Sequence, residues 1–249
     1  MIEVETRGRV TTLTINRPDK RNAITQAMYG TMADALTAYA DDDAVRALIV
    51  TGAEAYFTSG NDIGDFALGN TTDDTPPVIR FLDAIASCPK PLVAAVNGPA
   101  IGVGVTMLLH CDVVVAADSA TFNTPFAQLG LVPEAASSLL LPRAVGTAIA
   151  NDMLMANRTL TATEALRFGL ISRMCAAADL EDEARRVANG LANAAPQAMR
   201  HTKALIRQDR DQVKARMQQE SVLFSQQLQS AEFAEVVAAK MQKRAPVFK

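Results

Sequence analysis

The sequence has few cysteines, few histidines, no basic tract and no long apolar run. Cys88, Cys111 and Cys175 are its only cysteines. They are odd in number, widely spaced and set in apolar surroundings, which predicts reduced thiols in a reducing compartment and no metal site. The 24 basic and 27 acidic residues are mixed along the chain, which argues against a nucleic-acid partner. No apolar stretch reaches the roughly 18 residues that a membrane helix requires, so we expect a soluble, cytoplasmic protein without membrane contact.

Two sequence motifs, that of a nucleophilic triad and that of a dinucleotide-binding site, are also missing. His110 and His201 are the only histidines, and neither belongs to a pattern with Ser, Cys or Asp that supports a nucleophilic triad. His110 lies in the apolar run MLLHCD and is therefore predicted to be a buried core histidine. The pair Gly102 and Gly104 lacks the third glycine and the downstream acidic residue of a dinucleotide fingerprint, which excludes a nicotinamide site.

Short apolar and β-branched runs alternate with segments of helical periodicity. Strands are predicted at 9–15, 47–50, 92–96, 112–117 and 120–123, and helices at 26–40, 79–85 and 137–145. From about Leu180 onward Glu, Gln, Arg and Ala dominate, which predicts helices opened by Pro196 and spanning 212–229 and 231–243. The alternation indicates the α/β class, in one domain with a helical C-terminal part.

Two glycine-containing loops are candidates for binding a polarised oxygen. In the turn SGND at 59–62, backbone N–H groups can point at such an oxygen. The local sequence alone favours an ordinary helix-capping turn, with Asn61 or Asp62 as the N-cap. In the segment 97–112, Val103 lies between two glycines at the start of an apolar helix, where the helix dipole strengthens its N–H as a donor. By its local sequence alone, that segment is a close-packed connection from strand to helix.

Glu134 is the candidate proton carrier. It follows Pro133 and precedes small and apolar residues, and such surroundings disfavour the charged carboxylate and raise its pKa toward that of a useful general base. The alternative is an acidic residue in the first turn of a helix, where the dipole favours it. The residue by itself favours the second explanation.

Together these segments resemble the crotonase superfamily, also called the enoyl-CoA hydratase/isomerase family. The resemblance rests on TINRPDKRNAIT, FTSGNDI, VNGPAIGVG, CDVVVAADSATF, LGLVPEAASSLLLPRAVG and the final KRAPVF, which occur in this order over nearly the whole chain. It implies a crotonase (ClpP-like) spiral of ββα repeats in residues 1–190, followed by a C-terminal helical region in 191–249. Those helices are expected to form homotrimers, alone or as a dimer of trimers.

The same resemblance implies an acyl-CoA thioester as substrate, with CoA as part of the substrate and no separate cofactor. It implies that the backbone N–H groups of Asn61 and Val103 form an oxyanion hole. Other positions that the family places around CoA and the thioester are Lys20, Arg21, Ala23, Ser59, Gly60, Asp62, Ile63 and Gly104. Lys20 and Arg21 can instead be solvated loop charges, and residues 67–77 are expected either to shape the acyl pocket or to form a surface loop.

The resemblance also distinguishes between activities. Enoyl-CoA hydratases carry two glutamates at positions that here hold Thr106 and Phe126. The chain is instead similar to peroxisomal-type Δ3,Δ2-enoyl-CoA isomerases, and Glu134 matches their single catalytic glutamate. Another crotonase reaction and a silent CoA-thioester-binding subunit remain as alternatives. The final PVFK lacks a peroxisomal Ser-Lys-Leu address, so a bacterial-type cytoplasmic enzyme is expected.

Overall fold

A six-stranded sheet forms the centre of the structure, a computed structural model that describes residues 1–62, 64–65 and 75–248. Its strand order is β1-β2-β3-β4-β6-β9, and only the β1–β2 pair is antiparallel. The strands are β1 Ile2–Arg7, β2 Val10–Ile15, β3 Ala47–Gly52, β4 Leu92–Val96, β6 Val113–Ala117 and β9 Arg173–Cys175. A smaller sheet, in the order β5-β7-β8, consists of Ala100–Ile101, Thr121–Asn123 and Leu160–Thr161.

Ten α-helices are seen in the described part of the chain. They are α1 Gln26–Asp41, α2 Pro77–Ser87, α3 Val103–Thr106, α4 Ser137–Val145, α5 Thr147–Leu154, α6 Ala162–Phe168, α7 Leu180–Asn193, α8 Pro196–Ile206, α9 Arg210–Leu228 and α10 Ala231–Met241. Short 3-10 helices at Pro18–Lys20, Met107–His110, Ala127–Leu129 and Ala177–Asp179 complete the set. None of the helices described is long and apolar enough to cross a membrane.

The large sheet is buried on both faces, which is why its inner strands are continuous apolar runs. In β3, Leu48 and Val50 point into the larger core, whereas Ala47 and Ile49 point into a smaller one. Helices α1 and α2 cover the larger core and α7 covers the smaller one. This layering confirms the predicted α/β class.

Helix α8 is tied to the sheet by a buried lysine. The Lys203 ammonium donates to the Lys90 carbonyl at 2.7 Å and pairs with Asp112 at 2.7 Å, while Arg207 lies 3.4 Å from the same carboxylate. Asp112 in turn accepts from the N–H of Leu92 at 2.8 Å. The start of β4 and the end of α8 are therefore fixed to one carboxylate.

Most predicted elements are confirmed, several to within two residues at each end. The helix opened by Pro196, the helical C-terminal region and the strand at 92–96 all occur as predicted. Strand β1 was missed because it lies at the sheet edge with nearly all of its side chains exposed, so it has no apolar alternation to detect. The division of the chain at residue 190 falls inside α7 and stays a prediction.

Two glycines let a loop pack against the ends of the central strands. A Cβ on Gly52 would lie 2.2 Å from the carbonyl oxygen of Tyr56, and one on Gly98 would lie 2.1 Å from that of Ala55. Both contacts are with backbone atoms, which cannot rotate away as a side chain can. The missing side chains therefore allow the segment leading to Asn61 to lie directly on β3 and on the residues after β4.

We predict that Gly98→Ala lowers the free energy of unfolding by at least about 1–3 kcal/mol, because the methyl group forces the backbone at Ala55 to move. The measurement is urea-induced unfolding. Gly190→Ala is the matched control, since Gly190 is an exposed residue of helix α7 and no heavy atom lies within 4 Å of the added Cβ. The control should stabilise the protein by roughly 0.5–1 kcal/mol. Equal stability of the two variants would show that the loop is not tightly packed.

Candidate active site

The Glu134 carboxyl is buried beside a single hydroxyl donor. Its residue is only 8% exposed, and the hydroxyl of Thr106, at the end of α3, donates a hydrogen bond to its Oε1. Burial raises the pKa of Glu134 to about 7, the Thr106 hydrogen bond opposes this rise, and the negative charge of Glu220 adds to it. No lysine or arginine pairs with Glu134 within the described residues. A carboxyl with this pKa exchanges protons readily near neutral pH.

The backbone turn after Glu134 has an uncommon conformation. Ala135 and Ala136 have φ angles of 58° and 57°, in the left-handed region that residues with a Cβ rarely adopt. The carbonyl of Ala135 contacts His110 Nε2 at 2.8 Å. Helix α4 begins directly after this turn, so the turn rather than a helical first position presents the Glu134 side chain.

His110 is the buried core histidine that the sequence predicts. It is 1% exposed, and burial lowers its pKa to about 4. The ring is therefore neutral at physiological pH, and its hydrogen bond goes to the Ala135 carbonyl. Its place in the structure is behind the turn that carries Glu134.

The two glycine-containing loops lie against each other. Ile101 donates from its N–H to the Thr58 carbonyl at 3.0 Å, and Thr58 donates to the Pro99 carbonyl at 3.2 Å. In the part of the chain that the structure describes, the N–H groups of Asn61 and Val103 make no hydrogen bond. Val103 is also the first residue of α3, where N–H groups lack partners within the helix. Two free backbone donors are thus held on adjoining loops.

Side chains fix the Asn61 loop from both sides. The Tyr29 hydroxyl donates to Asn61 Oδ1 at 2.5 Å, and burial followed by the charge of Glu134 raises the pKa of Tyr29 well above its usual value. Asp62 pairs with Arg17 at 2.7 Å and accepts from the N–H groups of Gly64 and Asp65. Asp62 thus accepts from N–H groups two and three residues further on, as a helix-capping side chain does, and Asn61 lines the cavity described next.

A cavity of about 830 Å³ joins Asn61 to Glu134. Its walls come chiefly from α2 and α9, with apolar and polar side chains mixed. The lining residues are Gln26, Asn61, Asp65, Pro76, Val78, Ile79, Leu82, Asp83, Ser87, Glu134, Ala135, Lys214, Met217, Gln218, Ser221, Val222, Phe224, Ser225 and Leu228. A cavity of this size is in the range that holds small-molecule ligands.

The remaining predicted residues lie in the neighbouring loops. Lys20 and Arg21 are exposed, and their carbonyls accept from the Ser59 hydroxyl at 3.4 Å and the Ser59 N–H at 3.0 Å. Ala23, two residues after Arg21, is half-buried. None of these four residues lines the cavity, so their part in CoA binding stays a prediction.

Close backbone approach accounts for the two predicted glycines. A Cβ on Gly60 would lie 2.9 Å from the Ile101 carbonyl oxygen, and one on Gly104 would lie 2.6 Å from the Thr58 side chain. Both glycines therefore allow the two loops to meet. Ile63 and most of the predicted acyl-pocket segment, residues 67–74, lie outside the described residues. In the described part of the chain, no group of three His, Cys, Asp or Glu side chains could hold a metal ion.

Sequence reasoning missed Tyr29 and Glu220. Tyr29 lies on the buried face of α1 and looks like any core aromatic, and Glu220 is one of many charged residues in the C-terminal helices. Neither has a local signal that separates it from its neighbours. Both acquire their significance only from the contacts that the fold creates.

The chain is similar to known proteins of one family. The family described as enoyl-CoA hydratase/isomerase matches residues 5–249. Over 214 residues the chain is 41% identical to enoyl-CoA delta isomerase 2 of Rattus norvegicus, a match that covers 84% of this chain and 54% of the rat protein. It is 34% identical over 250 residues to 2,3-dehydroadipyl-CoA hydratase of Escherichia coli K12, covering 99% and 97% of the two chains. The crystal structure of an enoyl-CoA hydratase/isomerase from Pseudoalteromonas atlantica T6c superposes with a TM-score of 0.97 at 50% identity, covering 100% and 99%.

We predict that Glu134→Gln stabilises the protein at neutral and alkaline pH. The folded-state pKa is raised from 4.5 to about 7, so the contribution of Glu134 to stability is fully present below pH 4.5 and is lost as pH rises through 7. A glutamine does not ionise, and its amide oxygen can still accept from Thr106. Above pH 7 the variant should gain on the order of 3 kcal/mol.

The measurement is urea-induced unfolding across the acid and neutral range. Glu232→Gln is the control, because Glu232 is an exposed glutamate on α10 whose neutralisation should leave the pH dependence of stability unchanged. A Glu134→Gln variant whose stability follows that of the natural protein at every pH would show that Glu134 has an ordinary pKa.

Proposed function

The chain belongs to the enoyl-CoA hydratase/isomerase family, and from that premise we propose that it moves the double bond of a 3-enoyl-CoA to the 2-position by proton transfer through Glu134. Membership of this family confirms the crotonase resemblance and supports an acyl-CoA thioester as the substrate. The named relatives include both an isomerase and a hydratase, so the choice between these reactions rests on the residues of the site.

The observation that carries the proposal is the environment of Glu134. Its carboxyl faces the cavity that also contains Asn61, it has a pKa of about 7, and its partner is Thr106. Two other acids line the cavity, but Asp65 accepts from the N–H of Gln26 at the start of α1 and Asp83 is exposed on α2. Glu134 is the acid whose surroundings favour reversible proton transfer.

The proposed reaction has two proton transfers. The thioester oxygen accepts hydrogen bonds from the N–H groups of Asn61 and Val103, which favours removal of a proton from C2 by the Glu134 carboxylate and formation of a dienolate. The protonated Glu134 then returns that proton to C4, and the electrons of the dienolate form the C2–C3 double bond. A donor in such an oxyanion hole is typically worth roughly 3 kcal/mol. No atom is gained or lost overall.

Thr106 and Phe126 argue against the two-glutamate route of hydration. Phe126 is buried and apolar, so it cannot activate water. The Thr106 hydroxyl already donates to Glu134, and it is a poor base in any case. With one carboxyl rather than two beside the reacting carbons, transfer of a proton within the substrate is favoured over addition of water.

The proposal extends to assembly and CoA binding. Large apolar side chains are exposed in or beyond the C-terminal helices, at Leu205, Ile206, Met241, Val247 and Phe248, and burial of such side chains is a common reason for subunit association. This supports the proposed homotrimer or dimer of trimers. Exposed cations at Lys20 and Arg21, beside the Ser59 turn, support CoA phosphate binding there. The cytoplasmic location and the lack of a separate cofactor stay predictions.

We predict that the natural protein converts 3-enoyl-CoA to 2-enoyl-CoA and that Glu134→Gln lowers the kcat of this reaction by about 10²–10⁴-fold, the usual contribution of a general base. Affinity for the thioester should stay nearly unchanged, because Gln has the same shape. Absorbance of the conjugated product gives the rate, and a binding titration with 2-enoyl-CoA gives the affinity. Glu232→Gln, which changes an exposed glutamate, is the control and should keep full activity.

Three outcomes oppose this assignment. Rapid hydration of 2-enoyl-CoA with negligible double-bond migration would identify a hydratase. Binding of both thioesters without turnover would identify a silent binding subunit. Full activity of Glu134→Gln would show that another group carries the proton.

We predict that Thr106→Val moves the acid limb of the pH profile of kcat/KM to higher pH. The Thr106 hydrogen bond lowers the pKa of Glu134, so its loss raises that pKa, and the carboxylate needed as base then forms only at higher pH. Thr106→Ser keeps the hydroxyl and should keep the acid limb in place. An identical profile for the Val and Ser variants would mean that Glu134 is not the group that controls the acid limb.

A further inference from the structure

The turn that presents Glu134 is not stable by local preference. Ala135 and Ala136 are consecutive residues in the left-handed region, and each carries a Cβ that disfavours this conformation. A conformation of this kind persists only where surrounding contacts impose it. The position of the Glu134 carboxyl therefore depends on whatever holds Ala136.

A buried carboxylate from a distant helix supplies that contact. Glu220 in α9 is 5% exposed and accepts from the N–H of Ala136 at 2.6 Å, from the N–H of Ser138 at 2.9 Å and from the Ser138 hydroxyl at 2.5 Å. Arg216, one turn earlier in α9, donates to the same Ser138 hydroxyl at 3.0 Å. Glu220 thus takes up backbone donors that the start of α4 leaves without partners.

We propose that Glu220 is a positioning residue for the proton transfer, because its carboxylate holds the Ala135–Ala136 turn in the left-handed conformation that directs Glu134 into the cavity. The proposal rests on the proposed role of Glu134 as the base. Glu220 does not line the cavity, so it acts through the turn and not by contact with substrate.

Glu220 also acts on Glu134 through its charge. Burial raises the pKa of Glu220, and its hydrogen bonds with Ser138 and Ala136 oppose that rise. In its ionised form, its negative charge raises the pKa of Glu134. The other groups that face Glu134 or its turn are Tyr29 from α1, Thr106 from α3 and His110 from the 3-10 helix after it. His110 is neutral and Tyr29 stays protonated at working pH, so Glu220 is the charged group in this set, with Arg216 behind it.

A purely structural tie between α9 and α4 makes a different prediction. Loss of such a tie would lower stability and would move the acid limb through the lost charge, but it would leave the plateau value of kcat in the folded protein unchanged. A positioning residue with a charge changes kcat and the acid limb together. The two explanations are therefore separable by kinetics at several pH values.

The experiment compares Glu220→Gln with the natural protein in the conversion of 3-enoyl-CoA. Glutamine keeps the shape of the side chain, but it removes the charge and replaces one acceptor with an NH₂ group that opposes the N–H donors. We expect kcat to fall by about ten- to a hundredfold through misplacement of Glu134, with KM close to that of the natural protein. The acid limb should move to lower pH, because a negative neighbour has been removed.

A second variant separates the turn from the charge. In Glu220→Gln/Ala136→Gly, glycine adopts the left-handed conformation without a Cβ penalty, so the turn no longer needs the carboxylate. This variant should recover much of the lost kcat but should keep the displaced acid limb. It also keeps the test informative should Glu220→Gln alone fold poorly. The exposed Glu232→Gln is the control for loss of one carboxylate and should match the natural protein in both measurements.

The pKa of Glu134 is measured independently by NMR titration of ¹³C-labelled glutamate carboxyls, with Glu134→Gln assigning the signal. A lower pKa in Glu220→Gln supports the proposal even where the natural protein fails to turn over 3-enoyl-CoA, an outcome that would overturn the proposed function alone. Unchanged kcat, acid limb and NMR pKa in folded Glu220→Gln would overturn the positioning role. So would a loss of kcat that glycine at position 136 does not restore, accompanied by an unmoved acid limb.

Discussion

A carboxyl group buried without a cation holds its proton more tightly than one in water, and the Glu134 site is built around that effect. Burial raises the pKa to about 7, and Thr106 offsets part of the rise. A lysine or arginine in the same place would keep the carboxylate ionised and would make return of a proton to carbon difficult. The surrounding structure instead supplies one hydroxyl, a neutral histidine behind the turn and a second carboxylate further away.

The other half of the site is made of backbone. Free N–H groups at Asn61 and Val103 can stabilise an enolate only if their directions are set before the substrate arrives. That requirement explains why the loops meet at hydrogen-bond distance around Thr58, and why Gly60 and Gly104 lie where the two loops approach each other closely. Backbone donors of this kind depend on packing rather than on side-chain identity, so many sequences can form them.

The fold was predictable where local sequence determines it. The buried parallel strand at 92–96 and the helix face of α1 follow from apolar patterns, and the loops around Asn61 and Val103 follow from the family motifs. Edge strand β1 was not predictable, since exposed residues carry no burial pattern. Tyr29 and Glu220 were not predictable either, because each becomes important through a contact with residues 32 and at least 82 positions away in the sequence. The role proposed for Glu134 came from its place among the motifs, not from its neighbours in sequence.

Helix α9 connects the cavity with the turn that carries Glu134. Met217 and Ser221 line the cavity on one side of this helix, and Glu220, between them in sequence, reaches the turn that carries Glu134. A shift of α9 that fits a different acyl chain would therefore also move the Ala136 contact. Under the proposed mechanism, acyl-chain preference and proton transfer are therefore coupled: a larger cavity made by substitutions on α9 should change kcat unless the hydrogen bonds of Glu220 are kept.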